Sequence, residues 1–432
     1  MTIFWFRRDL RLLDNTGLNL ALLKSKDVQP IFIFDKDIID ELPNDDPRVN
    51  FLYDELRKIN KELISYNSSL KVYHGNPLEV FKQLSKENPE LKVYANRDYE
   101  PYAIARDEEI NKLLLENGSE LISTKDQVIF EKNEVVKNDG LPYTVFTPFK
   151  NKWLAKFKEE GFHLELKLNS KNFYKSYHEF PSMDELGFKK SSIKVSPFSL
   201  DGIHNYEETR NFPSLDSTSK IGPHLRFGTV SIREIVSKVK DLNDTYLSEL
   251  VWREFFMQIL WHFPKVVHEN FRPKYNFIKW RNNEEEFEKW CKGETGYPLV
   301  DAGMRELNQT GFMHNRVRMV TAGFLCKHLL IDWRWGEAYF AKKLLDYELS
   351  SNNGNWQWSA GTGCDAAPYF RVFNPSEQIK KFDKQNTYIN KWVEDLNEFS
   401  YPSPVVEHAF ARNRAIASYK EGLEVFSGKA LQ

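Results

Sequence analysis

The 432-residue sequence has little cysteine, no long hydrophobic run and almost no net charge. Its three cysteines, Cys291, Cys326 and Cys364, lack CxxC spacing, which argues against a disulfide framework or a metal cluster and suits a reducing cytosol. The apolar runs fall far short of the ~20 residues that span a bilayer. Charged residues in the first eleven positions are atypical of a signal peptide. We therefore expect a cytoplasmic protein with no metal and no membrane partner.

The charge balance excludes a broadly basic nucleic-acid binder. The chain has 60 Lys and Arg against 62 Asp and Glu, a formal net charge of -2. Any surface for a polyanion must therefore be a local patch. Neither GxGxxG nor GxxxxGK[ST] follows the first predicted strand, so the common dinucleotide and triphosphate fingerprints are absent.

The periodicity of apolar residues predicts two different halves. Short β-rich runs alternate with helical stretches over residues 1–125, which favours a doubly wound α/β domain with a parallel sheet. The predicted strands are 3–6, 28–34, 70–74, 91–95 and 120–123. Residues 126–200 resemble a lysine-rich connection without regular elements. Residues 201–432 are mostly helical in period and predict an all-α domain, with helices at 231–242, 245–263, 284–292, 297–310, 314–328, 335–347, 376–396 and 404–422.

Aromatic residues make up 14% of the chain, and nine of its 11 tryptophans lie between Trp252 and Trp392. Core packing and a binding site explain this excess equally well on composition alone. The stretch 344–375 favours a site, because it sets Trp356 and Trp358 among uncharged amides and glycines. Its amides are suited to hydrogen-bonding a planar heterocycle; they are Asn352, Asn353, Asn355 and Gln357.

Three further stretches leave two interpretations open. Thr218, Ser219 and Gly222 precede a predicted helix and suit a phosphate, although a plain capped loop explains them more simply. Glu249, Trp252 and Arg253 share a helical face, either as an ordinary half-buried ion pair or as an aromatic plate with an acceptor and a cation. Asn315 and Met319 lie one helical turn apart and are open to the same two interpretations, an ordinary helix face or a binding site.

Several motifs together resemble the photolyase/cryptochrome family, and the match runs over nearly the whole chain. They include Trp5-Phe-Arg-Arg-Asp-Leu-Arg, Thr218-Ser-Lys-Ile-Gly-Pro, Trp252-Arg-Glu-Phe, His314-Asn-Arg-Val-Arg-Met and Asn352-Asn-Gly-Asn-Trp-Gln-Trp. Within that family the sequence is most similar to class I cyclobutane pyrimidine dimer photolyases. The resemblance implies an N-terminal α/β domain, a connector and a helical domain that binds FAD.

The resemblance also implies a set of cofactor-binding residues. They are Tyr206, Thr218, Ser219, Ile221, Gly222, Arg253, Arg318, Asp346, Glu348 and Asn352. Arg318 and Asp346 are expected to pair beside the isoalloxazine. Asn352 matches the position near flavin N5, where a neutral amide suits a reduced, repair-competent flavin. Tyr246 stands where relatives often have tryptophan.

The implied activity is light-driven DNA repair, in which excited reduced FAD passes an electron to a cyclobutane pyrimidine dimer and the ring splits. The implied lesion pocket consists of Glu249, Trp252, Asn315, Arg316, Met319 and Trp358. Glu249 would stabilise the lesion, and Arg316 and Arg371 would meet flanking phosphates. A cryptochrome photoreceptor and a (6-4) photolyase are the alternatives. The amide at Asn352 disfavours the first, and the missing histidine pair beside Asn315 disfavours the second.

The resemblance assigns Trp356, Trp333 and Trp280 to an electron-transfer chain from flavin to surface. It also makes a second, antenna chromophore possible near residues 96–102, of unknown identity. The implied partner is ultraviolet-damaged DNA. Nothing in the sequence indicates an obligate assembly, so we expect a monomer.

Overall fold

A computed structural model describes residues 1–429 and divides the chain into two compact units. The first unit comprises Met1–Val135, Trp153–Ser199 and Lys220–Leu242. The second comprises Val136–Lys152, Leu200–Ser219 and the chain from Asn243 onward. Each unit is therefore built from three separate stretches of sequence.

The first unit contains a sheet of parallel strands in the order β3-β2-β1-β4-β5. The strands are β1 (Thr2–Phe6), β2 (Val28–Asp35), β3 (Lys71–Gly75), β4 (Lys92–Asn96) and β5 (Glu120–Thr124). Every residue of β1 and β2 is buried, as expected for strands covered on both faces. Each strand lies within one residue of the predicted bounds, and the doubly wound α/β prediction is confirmed.

Helices account for most of the remaining chain. In chain order they are α1 (Thr16–Lys24), α2 (Lys36–Ile39), α3 (Pro47–Ser65), α4 (Pro77–Glu87), α5 (Pro101–Glu116), α6 (Phe146–Glu160), α7 (Tyr206–Thr209), α8 (Gly222–Phe227), α9 (Ile232–Val239), α10 (Asp244–His262), α11 (Glu284–Lys292), α12 (Pro298–Thr310), α13 (Asn315–Gly323), α14 (Trp333–Lys343), α15 (Leu349–Ala360), α16 (Pro375–Phe382), α17 (Thr387–Trp392) and α18 (His408–Lys429). Short 3-10 helices occupy Ser170–Asn172, Ile203–Asn205, Pro213–Leu215, Pro264–Val267 and Pro273–Phe277. A π-helical turn, Phe324–His328, continues α13.

A buried ionic network ties α9 to the rest of the first unit. Arg233 lies 2.9 Å from Asp14 and 2.8 Å from Asp126, and Arg11 pairs with the other oxygen of Asp126 at 2.7 Å. The two guanidinium groups hold the pKa of the Asp126 carboxyl at about 2 despite its burial. The network pairs the guanidinium of Arg233 with both carboxylates and so fixes the position of α9.

The second unit packs its helices around an aromatic core, so the all-α prediction is confirmed. Trp290, Trp333 and Trp356 are each at most 2% exposed and belong to one cluster. Trp290 donates from Nε1 to the Thr321 carbonyl at 3.1 Å, which satisfies its only polar group. No helix among residues 1–429 has the length and apolarity needed to cross a membrane.

Three local predictions were wrong. The stretch 344–375 contains α15, although no helix was predicted between residues 347 and 376. The predicted helix 376–396 is broken between α16 and α17, where Asn386 takes a left-handed backbone with φ 55° and Asp383 accepts from the Tyr388 and Ile389 amides. The connection 126–200 contains all of α6, whose Phe146, Phe149 and Trp153 are buried in spite of its lysines.

Candidate functional site

Most of the sequence-predicted site residues lie on a few elements of the second unit. Glu249, Trp252 and Arg253 lie on α10; Asn315, Arg316, Arg318 and Met319 on α13; Trp333 on α14; Asn352, Trp356 and Trp358 on α15; Tyr206 on α7; and Thr218, Ser219, Trp280, Asp346, Glu348 and Arg371 on the connecting segments. Ile221 and Gly222 belong to the first unit, at the start of α8.

Gly354 lets α10 and α15 approach closely. A Cβ at this position would lie 2.1 Å from the ring of Phe256, so any side chain would force the two helices apart. Two amides of α15 fix the same region. Asn353 and Gln357 both donate to the Val266 carbonyl, at 2.9 and 3.0 Å. These two buried amides are therefore used to hold the chain after α10, and the prediction that they bind a heterocycle was wrong.

The side-chain amide of Asn352 is oriented by Glu337, a residue on α14. Its Nδ2 donates to Glu337 twice, to the carboxylate Oε1 at 2.8 Å and to the backbone carbonyl at 3.1 Å. Burial raises the pKa of the Glu337 carboxyl, and the bond from Asn352 partly offsets that rise. Because both amide hydrogens are committed to Glu337, the Asn352 oxygen is the atom left to accept a hydrogen bond. The sequence reasoning missed Glu337, which no motif singled out.

Two arginine–carboxylate pairs flank this stretch. Arg318 Nη2 lies 2.9 Å from Asp346 Oδ2, the ion pair that the resemblance implied. Arg318 Nε also donates to the Met313 carbonyl at 2.7 Å, which fixes the plane of its guanidinium. Arg253 lies 3.2 Å from Glu348, a carboxylate whose side chain is only 7% exposed. Four predicted cofactor residues are thus joined into two pairs.

The region around Asp346 and Ser350 has two buried polar atoms available to a ligand. Within residues 1–429, Asp346 Oδ1 and Ser350 Oγ are buried and lack a hydrogen-bond partner. Such atoms cost free energy unless a ligand or water satisfies them. A flavin nucleotide carries ring N–H and ribose hydroxyl groups that supply matching partners. The residues present therefore fit FAD.

Tyr206, Tyr246 and Ser219 form a second cluster. The two tyrosine rings meet edge to face at 5.0 Å between centroids, and Tyr246 donates to Ser219 Oγ at 2.9 Å. Burial raises the pKa of Tyr246 to about 12, so its hydroxyl keeps its proton and remains a donor. Tyr246 thus holds the Ser219 hydroxyl in place.

The predicted lesion residues gain partners that the sequence reasoning missed. Arg210 forms an ion pair with Glu249, and both side chains are partly exposed. Phe146 stacks on Trp252 at 3.7 Å with an interplanar angle of 9°. One face of this indole is therefore covered, and only the other face is available to a base. Arg210 directly follows α7, which begins at Tyr206. Its helical spacing from Tyr206 is the only sequence signal that could have suggested it.

Arg316 is held at the start of α13. Its Nη2 donates to Asn211 at 2.6 Å, and its guanidinium lies 4.3 Å from the ring of Phe382. Burial lowers the pKa of Arg316, and the charges of Arg210 and Arg371 lower it further. Arg210, Arg316 and Arg371 thus lie close enough for their charges to interact, and we call these three arginines the basic patch. Asn315, on the same turn, is exposed.

The three predicted electron-transfer tryptophans differ in burial. Trp356 is 2% exposed and Trp333 is 1% exposed, whereas Trp280 is half-buried. Trp333 donates from Nε1 to Asn270 at 2.9 Å. Trp280 meets Tyr419 edge to face at 5.9 Å. The partial exposure of Trp280 is what the surface end of a chain requires.

The first unit contains a separate cavity of about 160 Å³. It lies at the carboxyl ends of β1, β2 and β4, where the strand order reverses, the usual ligand position in such sheets. Arg7 and Arg106 each place a guanidinium 4.8 Å from the Trp5 ring. Its lining includes Asp98, Glu100 and Tyr102 from the stretch flagged for an antenna chromophore.

Comparisons with known proteins identify the family of the chain. A family described as DNA photolyase matches residues 2–167, and one described as the FAD binding domain of DNA photolyase matches residues 246–400. The chain is 34% identical to the deoxyribodipyrimidine photo-lyase of Halobacterium salinarum, covering 97% of this chain and 99% of that protein. It is 33% identical to the enzyme of the same name from Vibrio cholerae, with coverage of 97% and 99%.

Solved structures give the same result. An archaeal photolyase from Sulfolobus tokodaii, described with two FAD molecules, is 36% identical with a TM-score of 0.83, covering 97% of this chain and 99% of that one. A class III photolyase from Agrobacterium tumefaciens is 32% identical with a TM-score of 0.86 and 98% coverage of both chains. A Synechocystis cryptochrome is 26% identical with a TM-score of 0.83, covering 96% and 98%. The chain belongs to the photolyase/cryptochrome family and contains its FAD-binding domain.

Proposed function

We propose that this protein repairs ultraviolet-damaged DNA by splitting cyclobutane pyrimidine dimers with light absorbed by bound FAD. The proposal is carried by the arrangement of polar side chains on and around α14 and α15. Asp346 and Glu348 each pair with an arginine, Asp346 Oδ1 and Ser350 Oγ are buried without a hydrogen-bond partner, and Glu337 orients the amide of Asn352. Near-full-length similarity to deoxyribodipyrimidine photo-lyases supports the substrate class.

The cofactor residues are proposed to act as follows. Arg253, Glu348, Arg318, Asp346 and Asn352 would hold the flavin. The hydroxyls of Tyr206, Thr218 and Ser219, with the backbone at Ile221 and Gly222, would hold the remainder of the nucleotide. When bound in reduced form, FAD supplies the electron that opens the cyclobutane ring, and the electron returns afterwards.

Asn352 is proposed to favour the reduced form of the cofactor. Its Nδ2 donates both hydrogens to Glu337, so Oδ1 accepts. An acceptor stabilises a protonated ring nitrogen, which the oxidised ring does not offer at the same position. The chain's own geometry thus supports repair over signalling.

The lesion residues are proposed to work on a flipped-out dimer. A damaged pair costs least to unstack, so the enzyme gains selectivity without reading sequence. Trp252 and Trp358 would stack on the lesion, each base contact being worth ~1–3 kcal/mol. Glu249 and Asn315 would hydrogen-bond its edges, Met319 would pack on it, and Arg316 would meet a phosphate. Phe146 would hold Trp252 in position from behind.

Trp356, Trp333 and Trp280 are proposed to deliver electrons to the cofactor from the surface. Replacing Trp280 with Phe should slow photoreduction in blue light with an external donor. Repair by chemically reduced enzyme should stay intact, because the lesion residues are unchanged. Photoreduction at the wild-type rate in this variant would contradict the assignment.

The cavity in the first unit is proposed to hold an antenna chromophore. Its position at the strand switch and its two guanidinium groups over Trp5 suit a planar, acidic or phosphorylated ring. We also propose that the protein belongs to class I of the family, which the 314–319 motif supports. We further propose a monomeric state, a cytoplasmic location and domain bounds of 1–125, 126–200 and 201–432.

The decisive experiment is repair of ultraviolet-irradiated oligothymidine under blue light, with a dark control. We expect recovery of absorbance near the thymine band only in the light. The same assay on a (6-4) lesion should show no recovery, and activity there would favour the (6-4) alternative. A flavin spectrum that responds to light without repair of either lesion would favour the photoreceptor alternative.

A further inference from the structure

Lys327 is a buried cation that the proposed chemistry does not use. It is 3% exposed and lies in the π-helical turn Phe324–His328. Turns of this kind are rare and are frequent at functional sites. A buried ammonium costs several kcal/mol unless it is well paired. The fold alone therefore gives no reason for a charge at this position.

The partner of Lys327 is a loop rather than a carboxylate. Its Nζ donates to the backbone carbonyl of Arg371 at 2.8 Å. Arg371 lies in the loop 365–374, and its own side chain is exposed. Burial, with the charge of Arg371, lowers the pKa of Lys327 to about 8, and the neighbouring Cys326 opposes this. The cation thus lies directly beneath an arginine of the basic patch.

The loop has other attachments on either side of Arg371. Asp365 accepts from the Phe146 amide at 3.1 Å, and Tyr369 stacks on Tyr419 at 5.6 Å between centroids. Arg371 also closes a turn by donating to the Pro368 carbonyl at 2.9 Å. From beneath the loop, Lys327 Nζ donates a hydrogen bond to the backbone carbonyl of Arg371. This bond holds the backbone at Arg371, from which the exposed side chain extends towards the Phe373 ring, 5.5 Å away.

Neighbouring residues of the π turn reach different segments. Lys327 contacts the loop 365–374, whereas His328 lies 2.9 Å from His408 at the start of α18 and accepts from Arg414 through its carbonyl. Residue 328 can therefore be changed to disturb the same turn without touching the loop.

We propose that Lys327 is a positioning residue for DNA binding, which holds the loop 365–374 so that Arg371 meets a backbone phosphate of the damaged strand. This inference rests on the proposed repair function. Since phosphate contacts set the position of the protein on DNA without reading sequence, the effect should appear in affinity and its salt dependence. The repair yield of a lesion already bound should not change.

The test is a double-variant cycle with Lys327→Met and Arg371→Gln, measured by binding to irradiated oligothymidine in the dark at several salt concentrations. Lys327→Met should weaken binding by about three- to tenfold and should lower the slope of log affinity against log salt by up to ~0.7. Adding it to Arg371→Gln should cause little further loss, since it acts through that side chain.

A structural role would give a different result. Met fills the same space without a buried charge, so the variant should melt no lower than wild type. His328→Gln is the matched control and should bind as wild type does. The proposal would be overturned if the losses of affinity in Lys327→Met and Arg371→Gln were fully additive. It would also be overturned by unchanged affinity in Lys327→Met or by a lower repair yield per bound lesion. If Lys327→Met does not fold, Lys327→Gln enters the same cycle with the same criteria.

Failure of the proposed function would be visible separately. A wild-type protein that does not prefer irradiated over unirradiated oligothymidine would contradict the repair function itself. Preference and repair by wild type, with no effect of Lys327→Met, would contradict only the role of Lys327.

Discussion

Glu306 carries a buried carboxyl that makes the stability of the second unit depend on pH. It lies on α12, is 7% exposed and accepts from the Tyr388 hydroxyl at 2.6 Å. Burial raises its pKa from 4.5 to about 7, while bonds from Tyr388 and the His314 amide oppose the rise. The folded protein therefore holds this proton more tightly than the unfolded chain does.

The sign and size of the effect follow from proton linkage. Between the unfolded and folded pKa values the native state binds more protons, so the free energy of unfolding falls as pH rises from about 4.5 to 7. A shift of this size is worth about 3 kcal/mol. Glu306→Gln removes the titration and keeps an acceptor for Tyr388. The variant should therefore be more stable than wild type at pH 8 and should lose that advantage near pH 5.

Calorimetric melting at pH 5 and pH 8 measures the difference. We expect the gap between variant and wild type to open by a few degrees at the higher pH. Glu424→Gln, which changes an exposed carboxylate on α18, is the control and should follow wild type at both pH values. Parallel melting of Glu306→Gln and wild type, or a variant less stable at pH 8, would refute the reasoning.

Two further substitutions test the site directly. Gly336→Ala would place a Cβ 2.1 Å from the Trp356 ring, so we expect a loss of about 1–3 kcal/mol in unfolding free energy and slower photoreduction. Gly323→Ala, whose Cβ would meet nothing closer than 3.7 Å, should change neither, and equal behaviour of the two would contradict the role given to Trp356. Arg210→Met removes the cation beside Glu249 and should weaken lesion binding by up to about tenfold. Unchanged binding in a titration with irradiated DNA would show that the ion pair does not orient Glu249.

The sheet was predictable because its strands are short runs rich in β-branched and aromatic residues, separated by stretches of helical period. Residues 28–34 illustrate this, since Ile31, Phe32, Ile33 and Phe34 follow one another and every residue of the strand is buried. Helix α15 was not predictable, because its sequence is rich in Asn, Ser and Gly, which have low helical propensity. It forms because Asn353 and Gln357 gain tertiary bonds to Val266, which no local pattern reveals.

The candidate site was predictable by residue type and less so by partner. The Arg318–Asp346 pair was expected and is present. The partners Glu337 of Asn352, Phe146 of Trp252 and Lys327 of Arg371 come from distant positions in the sequence. Such contacts depend on helix packing and loop geometry, which spacing along a single chain does not specify.

Because of the ionic network around Arg233, the stability of the first unit depends on residues from two distant parts of the chain. Asp14 and Asp126 are made early in translation, but their shared guanidinium arrives more than one hundred residues later. A fragment ending near residue 135 would contain every strand of the sheet but lack Arg233, the shared partner of Asp14 and Asp126. The parallel sheet therefore cannot reach full stability on the ribosome until α9 has emerged, and expression of the N-terminal strands alone should give an aggregation-prone product.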